Sequence, residues 1–107
     1  MSEILLVLTT LPDADSAAAL GARLVEERLA ACVNILAPCA SVYRWQGRVE
    51  TATEVPLLIK TSAARYAALE TAILAEHPYE LPEIVAVPVQ RGLPGYLDWV
   101  STETAPG

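Results

Sequence analysis

Three features of this chain predict an α+β fold. A strand-length apolar run opens it, two amphipathic helical stretches follow at separated positions, and a long β-hairpin lies between them. The 107 residues are read as one domain, 1–107, of a size at which folding buries only about two-thirds of the available surface.

Ile4 to Thr10 is a continuous apolar run ending in threonines, suited to a strand buried on both faces and central in a sheet. Leu11 to Ser16 supplies a turn proline and N-cap candidates, with acids where the helix dipole favours them. A helix is expected from Asp15 to Leu29. On a helical wheel Ala17, Leu20, Gly21, Leu24, Val25 and Leu29 share one arc, whereas Arg23, Glu26 and Glu27 fall outside it. Arg28 lies nominally inside the arc, but in the last turn it can swing out to meet C-terminal carbonyls.

From Cys32 to Trp45 the pattern is β, Gln46-Gly47 forms a two-residue turn, and Arg48 to Thr61 returns as a second strand. That turn pairs Trp45 with Arg48, Tyr43 with Glu50 and Ala37 with Pro56. Pro38 and Pro56 then sit at nearly one level, where neither can donate to the ladder, so the hairpin must bend or bulge. A strand of this length reaches about 46 Å, more than the diameter of a domain with a radius of gyration near 13 Å, about what this length predicts. The arm must project. Its outer part is largely polar yet carries Val42, Tyr43 and Trp45, and a two-stranded arm of this kind is marginal alone, so it is expected to lie against a neighbouring subunit.

Thr61-Ser62 are read as caps of a second helix with Tyr66, Leu69, Ala72 and Ile73 on its inner face, ended by Pro78 just past His77. Ile84 to Val89 is a fourth strand, in which Pro88 marks an edge or a bulge. Pro94 opens a short third helix turning Tyr96, Leu97 and Val100 inward, and Thr104 to Gly107 reads as a loose tail. The order βαββαβ is that of the ferredoxin-like sandwich, an antiparallel sheet with both helices on one face, here with a long projecting β-hairpin and a short C-terminal helix added. The open face needs a cover, and an apolar share of 53% is high for so small a domain. A closed homo-oligomer answers both.

Thirteen acidic against seven basic residues give a net charge of -6. Such a field repels phosphate backbones and anionic lipid, so neither nucleic acid nor a membrane is expected as a partner, while divalent metal ions are admissible. No basic-then-apolar leader opens the chain and the longest uncharged run, Leu29 to Tyr43, is too short to span a bilayer, which points to a cytoplasmic protein. No enzyme is expected, because no nucleophile motif or glycine-rich phosphate loop occurs and His77 is the only histidine. Cys32 and Cys39 would stand about 23 Å apart on one extended segment, beyond the reach of a disulfide. They fall on opposite faces unless a bulge at Pro38 changes the parity, and they read as small core residues in preference to a metal clip.

Four segments occur in order: Glu27-Arg28-Leu29-Ala30-Ala31-Cys32-Val33-Asn34, Ser41-Val42-Tyr43-Arg44-Trp45-Gln46-Gly47-Arg48-Val49-Glu50, Lys60-Thr61, and His77-Pro78-Tyr79-Glu80-Leu81-Pro82-Glu83-Ile84. Together they closely resemble the CutA family of divalent-cation-tolerance proteins, over nearly the whole chain. The resemblance implies a cytoplasmic homotrimer of ferredoxin-like subunits with interlocking arms and inter-subunit clefts, associated with tolerance to copper and other divalent ions. It also implies a build similar to nitrogen-regulatory proteins of the P-II kind, so the alternative function is a signalling or structural trimer taking a small molecule or partner protein in its clefts. Copper ligation attributed to some members uses a cysteine at the end of the first strand and two histidines before the Pro-Tyr step. Thr9 and Glu76 stand at two of those positions here, which leaves His77 and a weaker, less copper-selective set.

Two roles are open to His77. It is either a helix C-terminal residue suited to the last carbonyls, or a ligand, with Glu76, Glu80 or Glu83, of a weakly bound divalent metal such as copper or zinc. Lys60, the only lysine, lies on a core strand and is expected to snorkel to the sheet edge, to pair with an acid, or to bind an anion or ligand. Because they belong to the resembling segments, Lys60, Tyr79, Glu80, Glu83, Trp45 and Cys32 are expected to border an inter-subunit cleft. Tyr43 and Trp45, alternating on one strand face, are the expected trimer anchors.

Overall fold

The computed structural model describes residues 3–106. Its elements are β1 (Ile4–Leu11), α1 (Ala14–Glu26), β2 (Cys32–Ile35), β3 (Cys39–Trp45), β4 (Arg48–Ser62), a 3-10 turn (Ala63–Arg65), α2 (Tyr66–Glu76), β5 (Ile84–Pro88) and α3 (Pro94–Glu103). The fold is mixed α+β, with an antiparallel sheet in the order β2-β4-β1-β5 and β3 continuing along β4 beyond β2. β1 is central, as its unbroken apolar run requires, and runs from Ile4 opposite Ser62 to Leu11 opposite Val55. β5 lies at an edge, so the missing N–H of Pro88 costs no ladder bond.

Alternation along the strands sorts the two faces. Val7, Leu11, Val55, Leu57 and Ile59 pack under Ala17, Leu20 and Leu24 of α1 and under Leu69, Ala72 and Ile73 of α2. Gly21 lets α1 approach β2 closely, since a Cβ there would stand 3.3 Å from Val33 Cγ1. The opposite face carries Leu6, Leu8 and Leu58, half-buried, with Val85 and Val87 exposed on β5. One end of it is covered where Val100 of α3 meets Ile4.

α1 begins where Asp13 accepts a 2.7 Å hydrogen bond from the Ser16 amide. It ends at Glu26, three residues short of Leu29. Arg28 adopts φ 58, its amide donates to Val25 O, and the Leu29 amide reaches back to Leu24 O at 2.9 Å. This is the Schellman closure with arginine where glycine is usual. The reversal carries Leu29 into the core and leaves Val25 exposed, against the wheel. Arg28 does reach a C-terminal carbonyl, but that of Glu103 in α3.

The hairpin turns through Gln46 and Gly47, both with positive φ as a type I′ turn needs, and pairs Trp45 with Arg48 and Tyr43 with Glu50. Near the prolines the ladder slips. From Ile35 to Cys39 the chain takes four steps while β4 takes three from Leu57 to Glu54, so Leu36 and not Ala37 bonds Pro56, through its amide at 2.9 Å. The strand therefore breaks into β2 and β3, and the added residue puts Cys32 and Cys39 on one face. Neither cysteine is in the core: Cys32 is half-buried and Cys39 is exposed. The arm projects, giving the molecule extents of 44 × 25 × 23 Å.

Two further expectations change. Thr61 and Ser62 finish β4; Ser62 holds the N-cap position of the 3-10 turn before α2 without a side-chain cap hydrogen bond, and Thr61 Oγ1 donates instead to Leu29 O at 2.7 Å. The expected loose tail is anchored at its start, where buried Thr104 donates to Val100 O at 2.8 Å and meets Ser62 Oγ; Gly107 lies outside the described residues. Among the described residues no helix is long and apolar enough to cross a membrane.

Thr9 is fully buried on the helix-covered face, and its hydroxyl has no partner among the described residues. Valine has the same shape without that desolvated group. Thr9→Val is expected to stabilise the protein by about 1 kcal/mol, read as a higher urea midpoint at equal protein concentration.

Candidate functional site

α2 stops at Glu76 because Pro78 follows, and His77 takes an extended conformation with its amide still bonded to Ile73 O. The imidazole does not serve the carbonyls of α2. Nε2 lies 2.6 Å from Thr10 O, Nδ1 is 3.2 Å from the Tyr79 amide, and the ring stands 4.7 Å from the Tyr79 ring. Since the amide donates to Nδ1, these partners assign the proton to Nε2. Both ring nitrogens are engaged, and His77 pins the loop 77–83 onto the end of β1.

The pinned loop and the arm enclose a cleft of about 890 Å³, lined among others by Tyr79, Glu80 and Glu83 from the loop, Tyr43 and Trp45 from β3, and Glu54 from β4. Glu54 is only 8% exposed. Its Oε2 accepts from Thr10 Oγ1 at 3.1 Å, and the Ser41 and Tyr79 hydroxyls lie beside it. Burial by itself would raise the pKa of this carboxyl; the three hydroxyls beside it outweigh that and hold the pKa below the ordinary value. The Tyr79 phenol is pushed up to about 12, first by burial and then by the Glu54 carboxylate beside it.

Trp45, Tyr79, Glu80 and Glu83 thus share one cleft, and Tyr43 lines it too. Glu76 turns away to Arg23, which also holds Glu27 at 2.8 Å. Lys60 and Cys32 face each other across the β2–β4 ladder, with Lys60 Nζ 3.9 Å from Cys32 Sγ and bonded to Asn34 Oδ1. An amide and a thiol, and no acid, are the partners of Lys60 among the described residues. This cluster occupies the same sheet face as Glu54 but lies six residues along β4 from it, about 20 Å. Among the described residues no group of three or more His, Cys, Asp and Glu is close enough to hold a metal ion.

Sequence reasoning missed Glu54, Thr10 and Ser41. One signal was available: the turn register places Ser41 and Glu54 on the face that carries Tyr43 and Trp45. Nothing local showed that the distant loop 77–83 would fold over that face.

The pKa shifts give opposite pH limbs. For Glu54 the folded value is the lower one, so its stabilisation is complete above the ordinary carboxylate range and is lost as pH falls through the lowered value. Glu54→Gln is expected to cost about 1–3 kcal/mol at neutral pH and to flatten this acid limb in urea unfolding measured across pH. For Tyr79 the folded value is the higher one, so the folded state is favoured up to pH 10 and loses that advantage as pH rises toward 12. Tyrosine absorbance of the unaltered protein is expected to show a step near pH 12 that Tyr79→Phe lacks.

Residues 5–103 match the family described as CutA1 divalent ion tolerance protein. The chain is 47% identical over 98 residues to the divalent-cation tolerance protein CutA of Thermus thermophilus, covering 92% of this chain and 95% of that one. The crystal structure of CutA from Xylella fastidiosa has a TM-score of 0.93 at 50% identity, covering 97% of this chain and 100% of that one. A structure from Archaeoglobus fulgidus, described as a periplasmic divalent cation tolerance protein, has a TM-score of 0.92 at 36% identity over 95% and 99% of the two chains.

Proposed function

The chain belongs to the CutA1 family of divalent ion tolerance proteins, and we propose that it works as a homotrimer of ferredoxin-like subunits whose clefts take up divalent cations, copper among them, with low affinity. The family is named for tolerance and not for a reaction, which supports a binding role. The observation that carries the reading is the set of carboxylates, Glu54, Glu80 and Glu83, lining one cleft in a protein of net charge -6. Within one subunit they form no closed ligand set, so a cation here would be held by carboxylates and water, or by groups from two subunits. His77 would join by releasing the Tyr79 amide, and Glu76 by releasing Arg23. Oxygen ligands of this kind bind copper or zinc weakly.

Assembly is supported by the uncovered sheet face and by the arm, where Val42 and Val49 are 69% and 66% exposed. Two free thiols, Cys32 and Cys39, suit the cytoplasm, although the Archaeoglobus fulgidus protein is described as periplasmic. The size of the cleft favours a second reading, a P-II-like trimer holding a small molecule there.

Native mass spectrometry should give three times the subunit mass, and Trp45→Ala should weaken the trimer on sedimentation and lower its heat resistance; a monomer in the unaltered protein sinks the assembly reading. Calorimetric titration with zinc should show Glu80→Gln/Glu83→Gln weakened about tenfold, equivalent to about 1.4 kcal/mol. Unchanged affinity would remove the cleft as the cation site.

A further inference from the structure

The Glu54 carboxylate is charged at neutral pH and more than nine-tenths buried, yet the only ion pairs among the described residues are those of Arg23 with Glu27 and Glu76. A buried carboxylate without a counter-cation is costly, and hydrogen bonds offset only part of that cost. Thr10 Oγ1 donates to Glu54 at 3.1 Å, and the Ser41 and Tyr79 hydroxyls stand beside it around the same cleft. A hydroxyl whose one proton is directed at Glu54 offers the cleft lone pairs alone, and the carboxylate has acceptor positions that Thr10 does not fill. The floor of the cleft is therefore rich in acceptors.

An anion is excluded by charge. A neutral alcohol or amide would satisfy only some of these acceptors and leave the charge uncompensated. At this floor a bare metal ion is the poorer fit, since hydroxyl oxygens are weak ligands and no three-residue ligand group exists among the described residues, whereas the rim carboxylates Glu80 and Glu83 stay open to cations; about 890 Å³ is the volume of an organic ligand site. A primary ammonium group carries three N–H donors and no acceptor, which is the complement of this floor. The walls supply the rest. Trp45, Tyr43, Val42 and Leu81 line the cleft with aromatic faces and apolar surface, where a cation and its hydrocarbon body both gain. Glu80 and Glu83 are exposed at the rim and raise the local concentration of cations.

We propose that this cleft binds the primary ammonium group of an organic cation with an apolar or aromatic body, the ammonium on Glu54 and the hydroxyls of Thr10, Ser41 and Tyr79, the body against Trp45. This rests on the reading of the cleft as a small-molecule site and not on metal uptake.

Isothermal titration of the intact protein with 2-phenylethylammonium tests it, beside 2-phenylethanol, which has the same body and no charge. The ammonium is expected to saturate, the alcohol to bind at least tenfold more weakly, and Glu54→Gln and Tyr79→Phe each to weaken the ammonium at least tenfold. Tyr79→Phe and the alcohol keep the test intact should Glu54→Gln fold poorly. Equal binding of alcohol and ammonium overturns the ammonium assignment and leaves the cleft a ligand site. No saturable binding of either at millimolar concentration overturns both, and zinc binding that depends on Glu80 and Glu83 then leaves the metal reading standing by itself.

Discussion

Three of the other four strands are registered on β4. Its fifteen residues are hydrogen-bonded to β1, β2 and β3, so one strand belongs at once to the core and to the arm. The alternation of side chains along it then does two jobs. Val55, Leu57, Ile59 and Thr61 point under the helices, while Glu54, Pro56, Leu58 and Lys60 fall on the other side. A slip of one residue on β4 would exchange the two sets, placing a lysine and a glutamate in the core, at a cost of several kcal/mol per charge. The buried apolar face thus secures the register that also puts Glu54 at the floor of the cleft.

The same strand tolerates one irregularity, the added residue opposite Pro56. The turn at Gln46-Gly47 already sets Ser41, Tyr43 and Trp45 on the face of Glu54, and the bulge leaves that pairing untouched. What it shifts is β2: a regular ladder would place Val33 beside Lys60 and turn Cys32 and Asn34 under the helices, whereas the added residue at Leu36 to Pro38 pairs Val33 with Ile59 and Cys32 with Lys60. Two prolines that cannot donate hydrogen bonds are therefore responsible for Val33 packing under α1 and for Cys32 and Asn34 meeting Lys60 on the other face.

His77 shows how a residue with obvious chemistry can act through geometry. Its ring bridges Thr10 O and the Tyr79 amide, and so sets the loop over β1 with Tyr79 above Glu54. The charges in the cleft come from carboxylates, and the imidazole holds the loop that carries two of them. Lys60 and Cys32, drawn into the same expected site by their segments, occupy a separate cluster along β4, because register and not sequence grouping decides neighbours within the chain.

Much of the fold was legible in the chain because it rests on local chemistry. The apolar run of β1, the Asp13 cap, the Gln46-Gly47 turn, the conflict of Pro38 with Pro56 and the stop at Pro78 each act over a few residues, and each element appeared where these signals placed it. The misses share a cause. The end of α1 at Arg28, the anchoring of Thr104 on Ser62, and the solvent exposure of Val25 and Cys39 depend on what another part of the chain does, or on a backbone reversal that no side chain announces. The sequence by itself determined the elements, their order and the family resemblance, since propensity, capping and periodicity are short-range. Only the tertiary structure decided that Glu54 is the buried group, because its burial is made by Thr10, Ser41 and Tyr79, brought together from β1, β3 and the loop after α2 by strand register and by the His77 contact.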